Sequence, residues 1–127
     1  MKLRLTGLLI AVAFCMSCDG EKFAEGRQMF RELLTLRDEV AKEFHEKVVD
    51  VNVTNRDRMT IKFVDSPLRS ATRDEKQQRA DAVAAFVATH YKHPLSSVSV
   101  QFVSKSGGLG VSVARSETFV GRLAPAR

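Results

Sequence analysis

Cysteine is almost missing from this 127-residue chain: there are two, Cys15 and Cys18, both near the start. The residues after them have no disulfide and no thiolate metal site to draw on. Any domain they form must be held by its apolar core alone. There is no tryptophan and one tyrosine, Tyr91. The expected open sheet face is polar and lacks aromatic residues, which argues against a stacking platform for single-stranded nucleic acid. Long hydrophobic runs are missing too. The one continuous apolar stretch, Leu8 to Phe14, falls short of the roughly 20 residues that span a bilayer. No internal repeat and no low-complexity tract is visible. Nor is there a dominant charge: 20 basic and 15 acidic residues are interspersed. Leaving out residues 1–17 removes two basic side chains and reduces the formal charge from +5 to +3. So small a balance bears on solubility and is no nucleic-acid signature. It favours anionic headgroups slightly, by about 1 kcal/mol for each basic residue near such a surface.

What is present begins with a leader. Lys2 and Arg4 form a basic head. The apolar run follows, extended by Leu5 in front and by Cys15-Met16 behind, and then come Ser17-Cys18 and the polar pair Asp19-Gly20. This is the layout of a secretory signal. At Ser17-Cys18 the chain resembles a bacterial lipoprotein precursor, with a small residue just before the cysteine. Three positions before Cys18 that family usually has Leu, and this chain has Cys15. The resemblance implies cleavage before Cys18, acylation of Cys18 with palmitate-type chains, and export of the domain from the cytoplasm. It implies attachment to a bacterial membrane of the cell envelope, inner or outer, with the exported domain in the periplasm. In enteric-type bacteria the family's sorting rule makes Asp in the position of Asp19 an inner-membrane retention signal. The rule is not general, so inner and outer membrane both stay open. An ordinary cleaved signal peptide with an incidental cysteine and an uncleaved N-terminal anchor are the alternatives.

The expected organisation is a signal peptide at 1–17, a lipidated cysteine and short tether at 18–22, one α+β domain at 23–122 and a tail at 123–127. From Glu21 to about Lys47, Phe23, Phe30, Leu33, Leu34, Val40, Ala41 and Phe44 recur at three- and four-residue steps, which predicts a helix. The period then becomes two. Val49, Val51 and Val53, a turn at Asn55-Arg56-Asp57, and Met59, Ile61 and Phe63 predict a hairpin with one buried face. A second helix is predicted over Thr72 to Tyr91. Thr72 and Glu75 fit a capping box, and Ala80, Val83, Val87 and Tyr91 form the inner stripe. Val98, Val100 and Phe102 give a third strand, and Leu109 to Val120 a fourth, whose slip near Ala114 to Glu117 suggests a bulge. The simplest architecture is a two-layer sandwich in helix-hairpin-helix-hairpin order. Its four-stranded, mainly antiparallel sheet would carry both helices on one face and show Asn52, Thr54, Thr60, Lys62, Ser99, Gln101 and Ser112 to solvent. That order is similar to small lipid-proximal modules such as the BON domain of bacterial envelope proteins. The glycine-centred second hairpin strand of those domains is missing here, and no site is carried over.

Chemistry-bearing residues are few. His90 and His93 have a spacing that lets a helix share a metal between two imidazoles. The third histidine, His45, ends the other helix, and Pro94 takes His93 out of helical geometry. Asp74 and Glu75 suit the positive end of a helix better than acid–base work, and Asp81 is grouped with them. Ser104 to Gly110 is glycine-rich, but a strand follows it and not the helix that a phosphate cradle requires. Ser112 and Ser116 have no histidine nearby to activate them. The stretch from Thr72 to Arg79 reads as a solvated helix start. No catalytic residue, cofactor or metal ligand is assigned; lipidation at Cys18 is the one site. The expected function is a non-enzymatic, lipid-anchored envelope module whose partner is another protein. Phospholipid binding by the folded domain, or a small metal-binding or enzymatic protein using His90 and His93, are the alternatives.

Overall fold

The two periodicities become, in chain order, helix α1 (Arg4–Glu43), strands β1 (Val48–Thr54) and β2 (Arg58–Val64), a 3-10 turn (Pro67–Ser70), helix α2 (Arg73–His90) and strands β3 (Ser97–Gly108) and β4 (Val111–Gly121). The computed structural model describes the backbone of residues 4–108 and 110–124, and side chains within 24–107, 110 and 113–124. The chain divides into two compact units, Met1–Glu32 and Leu33–Arg127.

In the first unit the described side chains of residues 24–28 are exposed. Phe30, placed on the inner stripe by its spacing, is 62% exposed. Helix α1 begins at Arg4, well before the expected Glu21. The physical reason is local: the Leu- and Ala-rich run after Arg4 is itself made of strong helix formers. Among the described residues no helix is long and apolar enough to cross a membrane.

The second unit is α+β, with a four-stranded sheet in the order β1-β2-β3-β4. The sheet is mixed, not mainly antiparallel. β1 and β2 run antiparallel, as do β3 and β4, but β2 and β3 are parallel neighbours. The cause is the connection between them. Parallel neighbours need a crossover of a dozen or more residues, and the 3-10 turn with α2 supplies it. Alternation within a strand tells which face is buried but not which way the next strand runs.

One face of the sheet is the core. Met59, Ile61 and Phe63 on β2 stand beside Val98, Val100 and Phe102 on β3, and all six are buried. Leu36 and Val40 from α1 and Ala80, Val83, Ala84 and Val87 from α2 join the same cluster. Tyr91, Val49 and Phe119 complete its buried set. α1 ends where Glu46 N donates to Ala41 O at 2.9 Å across His45, which has φ 54. This is a Schellman-like stop with histidine in the left-handed position. Thr72 caps α2: its Oγ1 accepts from Glu75 N at 3.2 Å, while Glu75 Oε2 accepts from Thr72 N at 3.0 Å.

Two details depart from the pattern reading. β3 and β4 pair in unbroken register from Val98↔Gly121 to Gly108↔Val111, so there is no bulge. The apolar alternation lapses because the ribbon from Ser104 outward runs past the end of β2, where no core covers it. Lys76 is the second departure. It is only 5% exposed, although its charged surroundings suggest a solvated helix start. It lies one turn before Ala80 on the inner stripe, and its Nζ reaches Glu117 Oε2 on β4 at 3.0 Å.

Helix α2 packs closely on β4 at Gly121. A Cβ there would lie 2.5 Å from Ala80 O and 2.6 Å from Ala84 Cβ. Gly121→Ala is expected to lower stability by about 1–3 kcal/mol in urea denaturation. Gly26→Ala, with nothing within 4 Å of the new methyl, is expected to raise helicity by circular dichroism without loss of stability. The ion pair of Lys76 with half-exposed Glu117 gives a second contrast. Lys76→Met is expected to be neutral or stabilising, whereas Glu117→Ala strands a buried ammonium and is expected to cost about 1–2 kcal/mol by the same measurement.

Candidate functional site

The structure does not bring the three histidines together. His90 stacks on Phe86 with 3.9 Å between ring centroids, and its Nδ1 lies 2.8 Å from Phe86 O. His93 packs edge-on against Tyr91 at 5.3 Å, beyond the end of α2. His45 sits at the α1 stop. Among the described residues no group of three or more histidine, cysteine or acidic side chains could hold a metal. The acids of α2 have structural work. Glu75 closes the capping box, and Asp81 Oδ1 accepts from Gln77 Nε2 at 3.0 Å and from Arg122 N at 2.9 Å, tying α2 to the end of β4. The glycine-rich stretch leads from β3 into β4 and holds Gly110 at φ 80, a hairpin turn. Ser116 is exposed on β4. The side chains of Ser112 and Cys18 lie outside the described residues, as does the end of the tail beyond residue 124.

A buried polar pair escapes pattern reading altogether. Glu46, in the loop after α1, and Ser66, between β2 and the 3-10 turn, are both buried, and Ser66 Oγ donates to Glu46 Oε1 at 2.6 Å. The same hydroxyl accepts from Leu68 N at 3.2 Å and so caps the 3-10 turn. Glu46 Oε2 is buried with no hydrogen-bond partner. Burial pushes the Glu46 carboxyl above its usual range; the Ser66 hydrogen bond and the charge of Arg79 pull the other way. Arg79 is held beside them by donating to Phe44 O at 3.1 Å, with its guanidinium 5.1 Å from the Phe44 ring. With Ser66 only 2% exposed, the pair resembles a base and a nucleophile in type but offers no room for a substrate. It pins the entry of β1 to the exit of β2.

The accessible chemistry lies on the opposite face of the sheet. Residues alternate, so Asp50, Asn52, Thr60, Lys62, Ser99, Gln101 and Thr118 share one face in cross-strand rows. Val48 and Val120 on the two edge strands add exposed apolar surface, 50% and 62%. At one end of this face is a hollow of about 570 Å3, lined by Thr54, Arg58, Thr60, Ser96, Ser97 and Ser99, with Met59 beneath. Ser96 N, Ser97 N and Ser96 Oγ all donate to Asp57 O, fastening the start of β3 to the β1–β2 turn. The sequence marks this face as polar; what it does not show is that Arg58 and Ser97 are neighbours, since that depends on the parallel register.

Comparison with protein families, with characterised proteins and with solved structures finds no match to this chain.

The Glu46–Ser66 pair makes its own predictions. Ser66→Ala leaves both Glu46 oxygens without a partner and is expected to cost about 1–3 kcal/mol in chemical denaturation. A carboxyl raised in the folded state favours folding in acid. That contribution is fully present below the unfolded-state value and is lost as pH rises through the raised one. Glu46→Gln is therefore expected to flatten the fall in Tm between acid and neutral pH, measured by thermal melts against wild type.

Proposed function

We propose that this chain is a lipid-anchored, non-enzymatic protein of a bacterial envelope, which uses its exported α+β domain to hold another envelope protein. The observation that carries the reading is the basic-headed apolar run ending at Ser17-Cys18. Acylation of Cys18 then fixes the chain to a membrane, with two or three acyl chains giving the stable attachment that one does not. Asp19 leaves inner and outer membrane both open. The polar sheet face supports a binding role, because it is accessible while the buried Glu46–Ser66 pair is not. Edge strands β1 and β4 are further contact surfaces, since an unpaired edge can accept a partner's strand. We read the domain as a two-layer sandwich in helix-hairpin-helix-hairpin order, with both helices on the valine-rich face. The single core cluster, which joins Leu36 and Val40 to Ala80, Val83 and the inner sheet residues, supports that layering.

Intact-protein mass spectrometry of wild type and Cys18→Ala tests the anchor. The expected result is a wild-type chain that starts at a diacyl- or triacyl-modified Cys18, with no such species in the variant. An unmodified chain starting elsewhere overturns it. The binding role fails separately if anchored and anchor-less proteins are equally soluble and monomeric, with no partner, in envelope extracts.

A further inference from the structure

We propose that the hollow at the Arg58 end of the open sheet face binds a phosphate group, with Arg58 as the anchoring charge and the hydroxyls of Thr60, Ser97 and Ser99 as further donors. The register builds the site from residues that are distant in sequence. Thr54 on β1, Arg58 on β2 and Ser97 on β3 form one cross-strand row, and Asn52, Thr60 and Ser99 form the next on the same face. A guanidinium is thus set among hydroxyl groups, on a scaffold of paired strands and not on a loop.

The charge balance points to an anion. Among the described residues, Arg58 is the one charged side chain lining the hollow, and it takes part in no ion pair. The carboxylate on its own face, Asp50, is opposite Lys62 in the register. Asp57 presents its main-chain oxygen to Ser96 and Ser97, which occupies those amides and the Ser96 hydroxyl. The hydroxyls of Thr60, Ser97 and Ser99 make no hydrogen bond among the described residues. A fork of guanidinium N–H groups with several hydroxyls around it offers more donors than one carboxylate can use, and suits the oxygens of a tetrahedral phosphate. Among the described residues no aromatic ring lines the hollow, so they offer no stacking surface for a base. Its open shape leaves the rest of a phosphate-bearing ligand in solvent, so both free phosphate and a headgroup phosphodiester fit the same chemistry.

The test is an amide NMR titration of the full-length, 15N-labelled chain in an uncharged detergent, at constant ionic strength. The two probes are inorganic phosphate and glycerophosphoglycerol, a headgroup diester without acyl chains. Saturable shifts confined to Thr60, Ser97 and Ser99 are expected. Saturation by inorganic phosphate alone identifies free phosphate as the ligand class; saturation by the diester identifies a headgroup. Arg58→Gln is expected to weaken binding by at least about tenfold, as loss of a charge-assisted pair implies. Lys62→Gln should leave it within about twofold, because four residues along a strand is roughly 13 Å, beyond the screening length. Ser99→Ala, which removes a donor and no charge, should weaken binding several-fold. It replaces Arg58→Gln as the deciding variant if that change disturbs the spectrum away from the hollow. No saturable shift with either probe, or binding by the deciding variant equal to wild type, overturns the proposal.

Discussion

The parallel contact between β2 and β3 is the constraint on which the larger unit depends. It brings Met59, Ile61 and Phe63 side by side with Val98, Val100 and Phe102, and none of the six is more than 3% exposed. Each such side chain contributes about 1.5–3 kcal/mol when removed fully from water. Without a disulfide after Cys18, no covalent link shares that task. A parallel pair cannot close through a tight turn, so α2 must travel back along the sheet before β3 can start. That return path sets α2 against the β4 side, where Gly121 lets the helix backbone come close and Gln77 and Asp81 tie down Val120 and Arg122. The central pairing therefore decides where the helix lies and which strand it must touch.

Local features of this fold are legible in the sequence, and long-range ones are not. The Thr72–Glu75 capping box, the stop before Pro94 and the Asn55–Asp57 turn depend on neighbours a few residues apart, and they fall where the residues suggest. The direction of β3 relative to β2 depends on residues some forty apart and leaves no trace in alternation. Burial of Lys76 had a signal, its place one turn before Ala80, but charge outweighed spacing because its partner Glu117 lies on a strand far along the chain. Phe30 shows the converse: it keeps the helical spacing and is exposed all the same.

The same division holds for the site. The proposed leader ending at Ser17-Cys18 rests on consecutive residues, so it is proposed from the sequence with no help from the fold. Glu46 and Ser66 are twenty residues apart and carry no motif; only folding turns an ordinary loop glutamate and a serine before the 3-10 turn into a buried hydrogen-bonded pair. Arg58 is likewise unremarkable in sequence, the first residue of a strand after a turn. It gains meaning from Ser97 and Ser99, which the parallel register places beside it and across from Thr60.

Polar side chains in the larger unit are divided between two kinds of duty. Lys76, Gln77 and Asp81 tie α2 to β4 and its end, Arg79 ties α2 to the turn after α1, Glu46 and Ser66 join two loops, and Thr72 and Glu75 cap α2. Among the described residues, the side chains of Asn52, Arg58, Thr60, Lys62, Ser99, Gln101 and Thr118 make no hydrogen bond or ion pair. Surface groups of this kind contribute little to stability, and replacing them changes it by roughly half a kcal/mol or less. The fold therefore places little constraint on that face. Its residues can change almost independently of the core behind it, and that separation of scaffold from surface is compatible with the binding role proposed above.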